Sequence, residues 1–394
     1  MELKKYKLGE ILELQRGYDL PSSKMENGSV PVAGSNGIIG YHNVAKIQPP
    51  CLTIGRSGSV GKVHFYEEPI WPHNTSLYVK DFKGNDERYV YYLLKNIDLS
   101  KLCDSSVVPS LNRNYVYPLE VFFYCDKINQ RRIASVLSSL DSKISLNRRI
   151  NTKLETIAKR LYDYWFVQFD FPDANGNPYK SSGGKMVWND ALKREIPEGW
   201  EVKRLGEVLS LLKDGTHNPP KRINRGIALL TGTMFGNNFL DYSKATYISE
   251  EDYQLIHSRY SPQEGDIVIT KIGTLGNVNY IRKSDIPIAI HCNSALLRFP
   301  KYIGSVFAFY FCKSDLFQMR LKAVKGQSIQ EFVSLNRLES ICMEIPPQDI
   351  ITAFNAKTLS IFNYQLSIEK ETARLTALRD KLLPLLMNGQ VEVA

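Results

Sequence analysis

The chain has 394 residues, of which 43% are hydrophobic and 23% are charged; this composition excludes a wholly disordered protein and predicts two or three globular domains. The 50 Lys and Arg residues exceed the 41 Asp and Glu residues, and the net charge of +9 favours a polyanionic partner. No apolar stretch is long enough to span a membrane and the N-terminus lacks the apolar run of a signal peptide, so we expect a cytoplasmic protein with no membrane partner. The six cysteines form no CxxC pair and no HExxH motif occurs, so the sequence predicts no metal site.

The stretch 1–128 contains short apolar runs and glycine-rich turns, which are typical of strand pairs. Residues 50–54 form one such run. The turn that follows, residues 55–63, resembles a phosphate-binding P-loop, but Arg56 replaces its first glycine and Val63 replaces its magnesium-binding Ser or Thr. We therefore predict a hairpin turn here, and a short buried helix at residues 89–94.

A long helix is predicted from residue 129 to about residue 166, because this stretch has neither Gly nor Pro. Apolar residues recur at the 4-3-4 spacing of a coiled coil in two runs separated by a phase slip: Ile133, Leu137, Leu140 and Ile144, then Ile150, Leu154, Ile157 and Leu161. At 1.5 Å per residue this helix would be roughly 55 Å long. We therefore expect a rod whose seam is broken once.

The second half of the chain repeats this organisation. Residues 171–199 predict a polar linker, residues 266–270 a strand, and residues 306–312 a short buried helix. The chain ends in a second long helix within residues 348–394, with the predicted seam Leu359, Phe362, Leu366, Leu375, Leu378, Leu382 and Leu385. Pro384 is expected to kink or end this helix.

Four short matches, in the same order in both halves of the chain, indicate a tandem duplication. The offset between the two copies grows along the chain, as loop insertions would produce; the pairs are 8–12 and 205–209, 56–61 and 271–276, 74–77 and 293–296, and 110–113 and 334–337. The predicted fold class is α+β: two similar mixed α/β lobes, joined by two long antiparallel coiled-coil helices about a pseudo-twofold axis. The predicted domains are the first lobe, the central helix, the linker with the second lobe, and the distal helix, at residues 1–128, 129–170, 171–347 and 348–394.

Basic and amide side chains in the predicted turns of both lobes are candidates for binding DNA. Arg and Lys can bond guanine, Asn and Gln can pair with adenine, and all four can hold phosphates. The candidates are Arg56, Ser57, Lys62, Asn112, Arg113, Lys221, Arg222, Lys271, Thr274, Asn277, Lys325, Gln327, Asn336 and Arg337. For any one of them, the alternative is an ordinary solvated surface residue. The repetition of Arg113 as Arg337 suggests a shared structural or backbone-contacting role.

The sequence offers little support for catalysis, and we predict no catalytic residue. Residues 218–221 are similar to the Asn-Pro-Pro-aromatic motif of amino-methyltransferases, but Lys221 cannot replace the aromatic ring that stacks on a flipped base. One alternative function is a stand-alone metal-dependent DNA endonuclease that uses Asp173, Glu201 and Lys203. Another is a scaffold protein that does not bind DNA.

Five stretches of the sequence resemble the specificity (S) subunit of type I restriction-modification enzymes: residues 34–43, 160–171, 196–207, 214–217 and 378–389. The resemblance covers essentially the whole chain. It implies two target recognition domains, each reading one half of a bipartite asymmetric DNA target, with the helices fixing the spacer between the halves. One departure lies at the start of the distal helix, where residues 348–352 differ from the family pattern that residues 129–133 follow.

The resemblance also implies partners and cofactors. Two modification (M) subunits would dock on the helices, and two restriction (R) subunits could join them. S-adenosylmethionine would lie on the M subunits, ATP and magnesium on the R subunits, and no cofactor on this chain. The docking surface for the M subunits would include Tyr162, Tyr164, Trp165 and Phe166. The alternative is that these aromatic residues pack against the chain's own second helix.

Overall fold

The chain divides into two compact units, each of mixed α and β structure. A computed structural model describes residues 3–102, 109–218, 220–258, 260–326 and 332–393. Unit 1 comprises residues 1–149 and 369–394, and unit 2 comprises residues 150–368. Each unit therefore contains part of both long helices, whereas the boundaries predicted from the sequence set the helices apart as domains of their own.

The strands of unit 1 form small sheets. They are β1 (Leu3–Lys7), β2 (Glu13–Arg16), β3 (Val30–Gly34), β4 (Gly37–His42), β5 (Cys51–Gly55), β6 (Val63–Tyr66), β7 (Trp71–Pro72), β8 (Ser76–Asp81) and β9 (Glu120–Tyr124). The helices that begin in this unit are α1 (Leu8–Ile11), α2 (Glu87–Lys95), α3 (Arg113–Val116) and the long α4 (Lys127–Tyr162). The sheets have the strand orders β2-β8-β5-β6, β4-β3-β7 and β1-β9.

The hairpin of β5 and β6 and the helix α2 confirm local predictions made for this unit. All five residues of β5 are buried, as expected of a short apolar run. Gly58 and Gly61 in the turn have positive φ angles of 83° and 78°, a conformation that favours glycine, so the P-loop-like segment is a hairpin turn. In α2, the N-cap residue Asp86 accepts a hydrogen bond from the backbone N–H of Tyr89 at 3.0 Å.

Unit 2 has the same kinds of element. Its strands are β10 (Met186–Asn189), β11 (Arg194–Pro197), β12 (Glu201–Arg204), β13 (Leu211–Asp214), β14 (Ile227–Leu230), β15 (Thr246–Ile248), β16 (Ile267–Thr270), β17 (Val278–Tyr280), β18 (Ile288–Ile290), β19 (Ser294–Arg298) and β20 (Cys342–Ile345). Its helices are α5 (Leu205–Val208), α6 (Glu250–His257), α7 (Ser305–Lys313), α8 (Asp315–Ala323), α9 (Leu335–Glu339) and the first part of the long α10 (Gln348–Met387).

The sheets of unit 2 repeat those of unit 1, which confirms the duplication. The order β13-β19-β16-β17 corresponds to β2-β8-β5-β6, and the pair β12-β20 corresponds to β1-β9. The order β15-β14-β18 corresponds to β4-β3-β7, and in both of these sheets the last strand pairs parallel to the central one. Unit 2 adds the hairpin β10-β11.

The sequence match between residues 110–113 and 334–337 does not pair structurally equivalent positions. The backbone N–H of Leu111 donates to the carbonyl oxygen of Arg56 at 2.8 Å, and that of Val333 donates to the carbonyl oxygen of Lys271 at 3.0 Å, so Leu111 and Val333 occupy equivalent positions. The identical Ser-Leu-Asn-Arg sequences would instead pair Leu111 with Leu335, and they are therefore displaced by two positions. Hence Arg113 and Arg337 do not occupy equivalent positions. Each of them donates to a main-chain carbonyl oxygen, and the shared role that their repetition suggests stays a prediction.

The segment between the lobes is more ordered than the polar linker that the sequence predicts. It contains the hairpin β10-β11, and it contributes Phe171 and Ile196 to the core of unit 2. The ring of Phe171 stacks on that of Tyr179 with centroids 4.7 Å apart. The segment is thus part of the folded unit, because Phe171 and Ile196 are buried in that core.

The long helices α4 and α10 lie antiparallel in both units, as predicted. The contacting pairs are Asp141–Arg379 and Asn147–Glu371 in unit 1, and Asn151–Gln365 and Tyr162–Phe354 in unit 2. In each unit, the partner with the higher residue number on α4 pairs with the lower residue number on α10, so the helices run in opposite directions. The helix α4 ends at Tyr162 and is followed by a π-helical segment, Asp163–Val167. The helix α10 continues through Pro384 to Met387.

The seam of α4 is continuous, so the predicted phase slip was wrong. Buried and half-buried residues continue at spacings of three and four after Ile144: Asn147, Asn151, Leu154, Ala158, Tyr162 and Trp165. The hydrophobic pattern hides this seam because two members are asparagines and one is alanine. In contrast, the predicted seam residues Ile157, Leu359 and Leu378 are exposed.

Candidate nucleic-acid interface

The turn after the β5 strand of unit 1, and that after the β16 strand of unit 2, are held by the same backbone hydrogen bonds. In unit 1 the N–H of Arg56 donates to the carbonyl oxygen of Thr75 at 2.8 Å. In unit 2 the N–H of Lys271 donates to the carbonyl oxygen of Asn293, also at 2.8 Å. Arg56 and Lys271 therefore occupy equivalent positions on one scaffold.

In both units a glycine lies next to this turn. It follows the first strand of the four-stranded sheet, which is β2 in unit 1 and β13 in unit 2. A Cβ atom on Gly17 would lie 2.2 Å from the carbonyl oxygen of His73, and one on Gly215 would lie 2.2 Å from that of Ile290. Only glycine permits this close approach of two backbones. The residues that precede the glycines, Arg16 and Asp214, are consequently a second pair of equivalent positions.

An open groove of about 760 Å³ lies beside these positions in unit 1. Its lining residues are Gln15, Arg16, Gly17, Tyr18, Asp19, Arg56, Leu77, Ser110, Leu111, Asn112 and Arg113. Three DNA-binding candidates predicted from the sequence, Arg56, Asn112 and Arg113, thus lie together. Arg16 and Asp19 are not among the candidates predicted from the sequence, although the shared glycine of Arg16-Gly17 and Asp214-Gly215 is a signal that could have found Arg16.

The arginines of the groove are held mainly by neutral acceptors. Arg56 donates to the carbonyl oxygen of Asn74 at 3.4 Å, and Arg113 donates to that of Leu14 at 3.1 Å. Within the described residues neither of them forms an ion pair. Arg16 lies 3.3 Å from the carboxylate of Asp19, a pair with both side chains more than half exposed. With three arginines and one aspartate, the groove carries an excess of positive charge.

Three other candidates of unit 1 have local structural contacts. Asn112 is the N-cap of α3, and its side chain accepts a hydrogen bond from the N–H of Asn114 at 3.0 Å. Lys62 is exposed and donates to the side chain of Asn36 at 2.7 Å. Ser57 is half-buried and forms a β-bridge with Ser110, which places it at the edge of the groove.

The counterpart of the groove in unit 2 is neutralised internally. The ammonium group of Lys271 lies 3.1 Å from the carboxylate of Asp214, and the lysine side chain is 5% exposed. The same ammonium lies 5.6 Å from the centre of the Phe332 ring. The contact of Lys271 with DNA stays a prediction; in the structure its charge is buried and paired with Asp214.

Two other candidates of unit 2, Thr274 and Asn277, lie in the same turn as Lys271, between β16 and β17. Thr274 and the loop residues Lys221 and Arg222 are exposed or half-buried, and Asn277 lines a separate cavity of about 300 Å³ with Lys313. Burial, aided by the positive charge of Arg222, lowers the pKa of His291.

Near the end of the second lobe, Lys325, Asn336 and Arg337 lie at or near the surface. The Arg337 side chain donates to the carbonyl oxygen of Val324 at 3.3 Å. Gln327 lies outside the described residues.

The aromatic cluster after α4 belongs mostly to the core of unit 2. Tyr162, Trp165 and Phe166 are all at most 5% exposed, and the Phe166 ring packs 4.8 Å from Phe307. Burial raises the pKa of the Tyr162 hydroxyl well above its usual value. The prediction that these three residues bind a partner is corrected to the alternative of packing within the chain. Tyr164, which is 38% exposed, stays a candidate for docking.

The residues of the endonuclease alternative do not form a metal site. Asp173 accepts backbone hydrogen bonds from Asn175 and Asn177 in its own turn, at 2.8 and 2.9 Å, and Glu201 forms an ion pair with Lys203 at 2.5 Å. Within the described parts of the chain, no group of three or more His, Cys, Asp or Glu side chains is placed to hold a metal ion. None of the described helices combines the length and apolar character needed to cross a bilayer.

Comparison with known proteins gives one consistent family. The family model of the type I restriction modification DNA specificity domain matches residues 1–156 and again residues 197–376. The chain is 26% identical to the type I restriction enzyme MjaIX specificity subunit of Methanocaldococcus jannaschii, over 85% of this chain and 76% of the relative. It is 25% identical to the type I restriction enzyme HindI specificity subunit of Haemophilus influenzae, over 68% of each chain.

A solved structure has the same fold. The crystal structure of a type I restriction-modification system S subunit from M. genitalium superposes with a TM-score of 0.63 at 18% identity, and the superposition covers 98% of this chain and 96% of that one. The two family matches, in turn, contain the two copies of the sheet set described above. The chain therefore belongs to the type I restriction-modification DNA specificity family and is the specificity subunit of such a system.

Proposed function

We propose that each unit of this chain reads one half of a bipartite, asymmetric sequence in double-stranded DNA. One observation carries the proposal: the two units share their sheets and turn geometry, yet differ in the net charge of two equivalent positions. Arg16 and Arg56 in unit 1 correspond to Asp214 and Lys271 in unit 2. Two similar folds with unlike surfaces suit two unlike half-sites, just as dimers of identical subunits suit palindromes.

The helices are proposed to set the spacer and to dock two M subunits. Apolar side chains of both helices are exposed in each unit: Ile128, Leu146 and Leu378 in unit 1, and Ile157, Tyr164, Leu359 and Tyr364 in unit 2. We propose that these side chains contribute to a continuous apolar surface on each part of the helix pair, since such surfaces are typical of protein-binding sites. Because each unit has such a set, two copies of the same partner can be accommodated.

The chain itself is proposed to be non-catalytic and to work in the cytoplasm, where the DNA is. S-adenosylmethionine is then held by the M subunits, and ATP and magnesium by R subunits, of which two join when restriction occurs. The purified chain with Mg²⁺ should leave plasmid DNA intact. Nicking of plasmid by the chain alone would favour the endonuclease alternative.

The main experiment is to map methylated adenines in cells that express the chain with an M subunit of its system. We expect one bipartite sequence with a fixed spacer. Exchange of residues 1–128 for the corresponding lobe of another specificity subunit should change one half-site and leave the other unchanged. A change in both halves would contradict the assignment of one half-site to each unit.

A binding measurement separates this function from that of a scaffold without DNA. The chain with its M subunits should bind the mapped duplex, and the logarithm of the binding constant should fall linearly with the logarithm of the salt concentration, as phosphate contacts require. If no binding occurs even at low salt, the scaffold alternative is favoured.

A further inference from the structure

The unit 1 groove differs from its counterpart in a way that points to recognition of a particular base. At the two equivalent positions, unit 2 carries the ion pair of Asp214 and Lys271, whose charges cancel. Unit 1 carries two guanidinium groups, those of Arg16 and Arg56, which line one open groove. At these positions the arginine side chains of unit 1 can donate hydrogen bonds to a ligand in the groove, whereas the charged groups of unit 2 are paired with each other.

We propose that Arg16 and Arg56 are specificity-determining residues that read guanine in the half-site bound by unit 1. Guanine presents two acceptors, O6 and N7, in the major groove, and their spacing matches two parallel N–H groups of an arginine. Unit 2 reads no guanine from the equivalent positions, because Lys271 is buried. This inference rests on the proposed function and adds the base that one of its surfaces recognises.

The position of Asp19 favours a base over a phosphate as the ligand of Arg16. The Asp19 carboxylate lies 3.3 Å from the guanidinium and also accepts a hydrogen bond from the side chain of Asn74. A phosphate next to Arg16 would be repelled by this carboxylate, whereas the neutral acceptors of guanine would not. The exposed pair adds little stability.

Arg56 is presented by a fixed backbone. Its N–H and carbonyl groups are both hydrogen-bonded, to Thr75 and Leu111 at 2.8 Å each, and its side chain donates once to a carbonyl oxygen. An arginine has five N–H donors, so most of them stay available for a ligand. A fixed attachment point reduces the entropy lost when the side chain meets a base.

The size and lining of the groove agree with a base edge as ligand. At about 760 Å³ it is larger than a single phosphate requires, and it is open to solvent. The amides of Gln15 and Asn112 lie in the same lining and add neutral hydrogen-bonding groups beside the arginines. A mixture of arginine and amide groups is typical of major-groove recognition.

The test compares the methylated sequences produced by the wild-type chain and by the variants Arg16→Gln and Arg56→Gln, each expressed with the M subunit. We expect the discrimination of guanine from adenine at one position of one half-site to fall by about 10- to 100-fold, since glutamine pairs with adenine. The second half-site should be unchanged, which also shows that the variant is folded. Arg88→Gln is the matched control, because Arg88 is a half-buried arginine of unit 1 that lines a different cavity.

The outcomes separate the inference from the proposed function. Unchanged sequence specificity in both variants would overturn the assignment of guanine reading to this groove. A uniform loss of methylation over all sequences, without relaxation at any position, would also overturn it and would indicate phosphate contacts. If the wild-type chain directs methylation to no defined sequence, the proposed function fails, independently of the groove.

Discussion

The ion pair of Asp214 and Lys271 makes a quantitative prediction about unit 2. In the variant Asp214→Asn, the Lys271 ammonium would lose its partner while staying buried. Removal of one member of a buried pair costs about 3–5 kcal/mol. Because the Asp214 side chain is 23% exposed, solvent weakens the pair, and we expect a loss of about 3 kcal/mol of unfolding free energy.

Urea unfolding followed by tryptophan fluorescence can measure this loss. Trp165, Trp188 and Trp200 belong to unit 2, whereas Trp71 belongs to unit 1, so the signal reports mainly on unit 2. With a slope of about 2 kcal/mol per molar urea, the midpoint should fall by roughly 1.5 M.

Two variants serve as controls for this measurement. The double variant Asp214→Asn with Lys271→Met removes both charges and should recover most of the loss. Arg16→Gln, at the equivalent exposed position of unit 1, should change the stability by less than about 0.5 kcal/mol. If the single and double variants unfold at the same midpoint, the buried charge of Lys271 is not the cause.

Three further predictions concern packing, pH and spacing. Gly17→Ala should lower the unfolding free energy of unit 1 by about 1–3 kcal/mol in thermal or urea unfolding, because the added Cβ would meet a carbonyl oxygen at 2.2 Å. Burial, with a smaller contribution from Lys62, lowers the folded-state pKa of His64 below its unfolded value of about 6.5. The unfolding free energy of unit 1 should therefore fall as the pH decreases through 6.5, because the unfolded state then binds a proton that the folded state does not. The variant His64→Gln should reduce this pH dependence. A variant can be made with one heptad inserted between residues 149 and 150 and another between residues 368 and 369. Its methylated sequence should have a longer spacer and the same two halves. An unchanged spacer would contradict control of the spacer by the helices.

Local structure was predictable from the sequence where one physical effect dominates. The absence of Gly and Pro located the start of α4 closely, at Lys127 against the predicted position 129. The strands β5 and β16 and the short helices α2 and α7 were also predicted, because a single run of apolar residues specifies each of them. The duplication and the family followed from several such stretches taken together.

Features that depend on partners distant in sequence were not predictable. The seam of α4 includes Asn147 and Asn151, which no hydrophobic pattern detects; the side chain of the first donates to Glu371 at 2.7 Å, and the carbonyl oxygen of the second accepts from Gln365 at 3.5 Å. The burial of Lys271 depends in the same way on Asp214, which lies on another strand of the sheet. A charged residue in a sequence is expected to be exposed to solvent, but it can be buried when a residue of opposite charge pairs with it in the fold.

The pairing of Arg113 with Arg337 by sequence shows that identical residues are a weaker guide to equivalent positions in a duplicated chain than identical backbone hydrogen bonds. The same four-residue sequence recurs, but the backbone bonds at Arg56 and Lys271 place the equivalent positions elsewhere, at Leu111 and Val333. Those same bonds hold the turn whichever side chain is present, so a substitution at Arg56 changes the groove without altering the bonds that form the turn. In the proposed function, stability and specificity therefore depend on different atoms there, and this separation would allow two copies of one fold to recognise different DNA sequences.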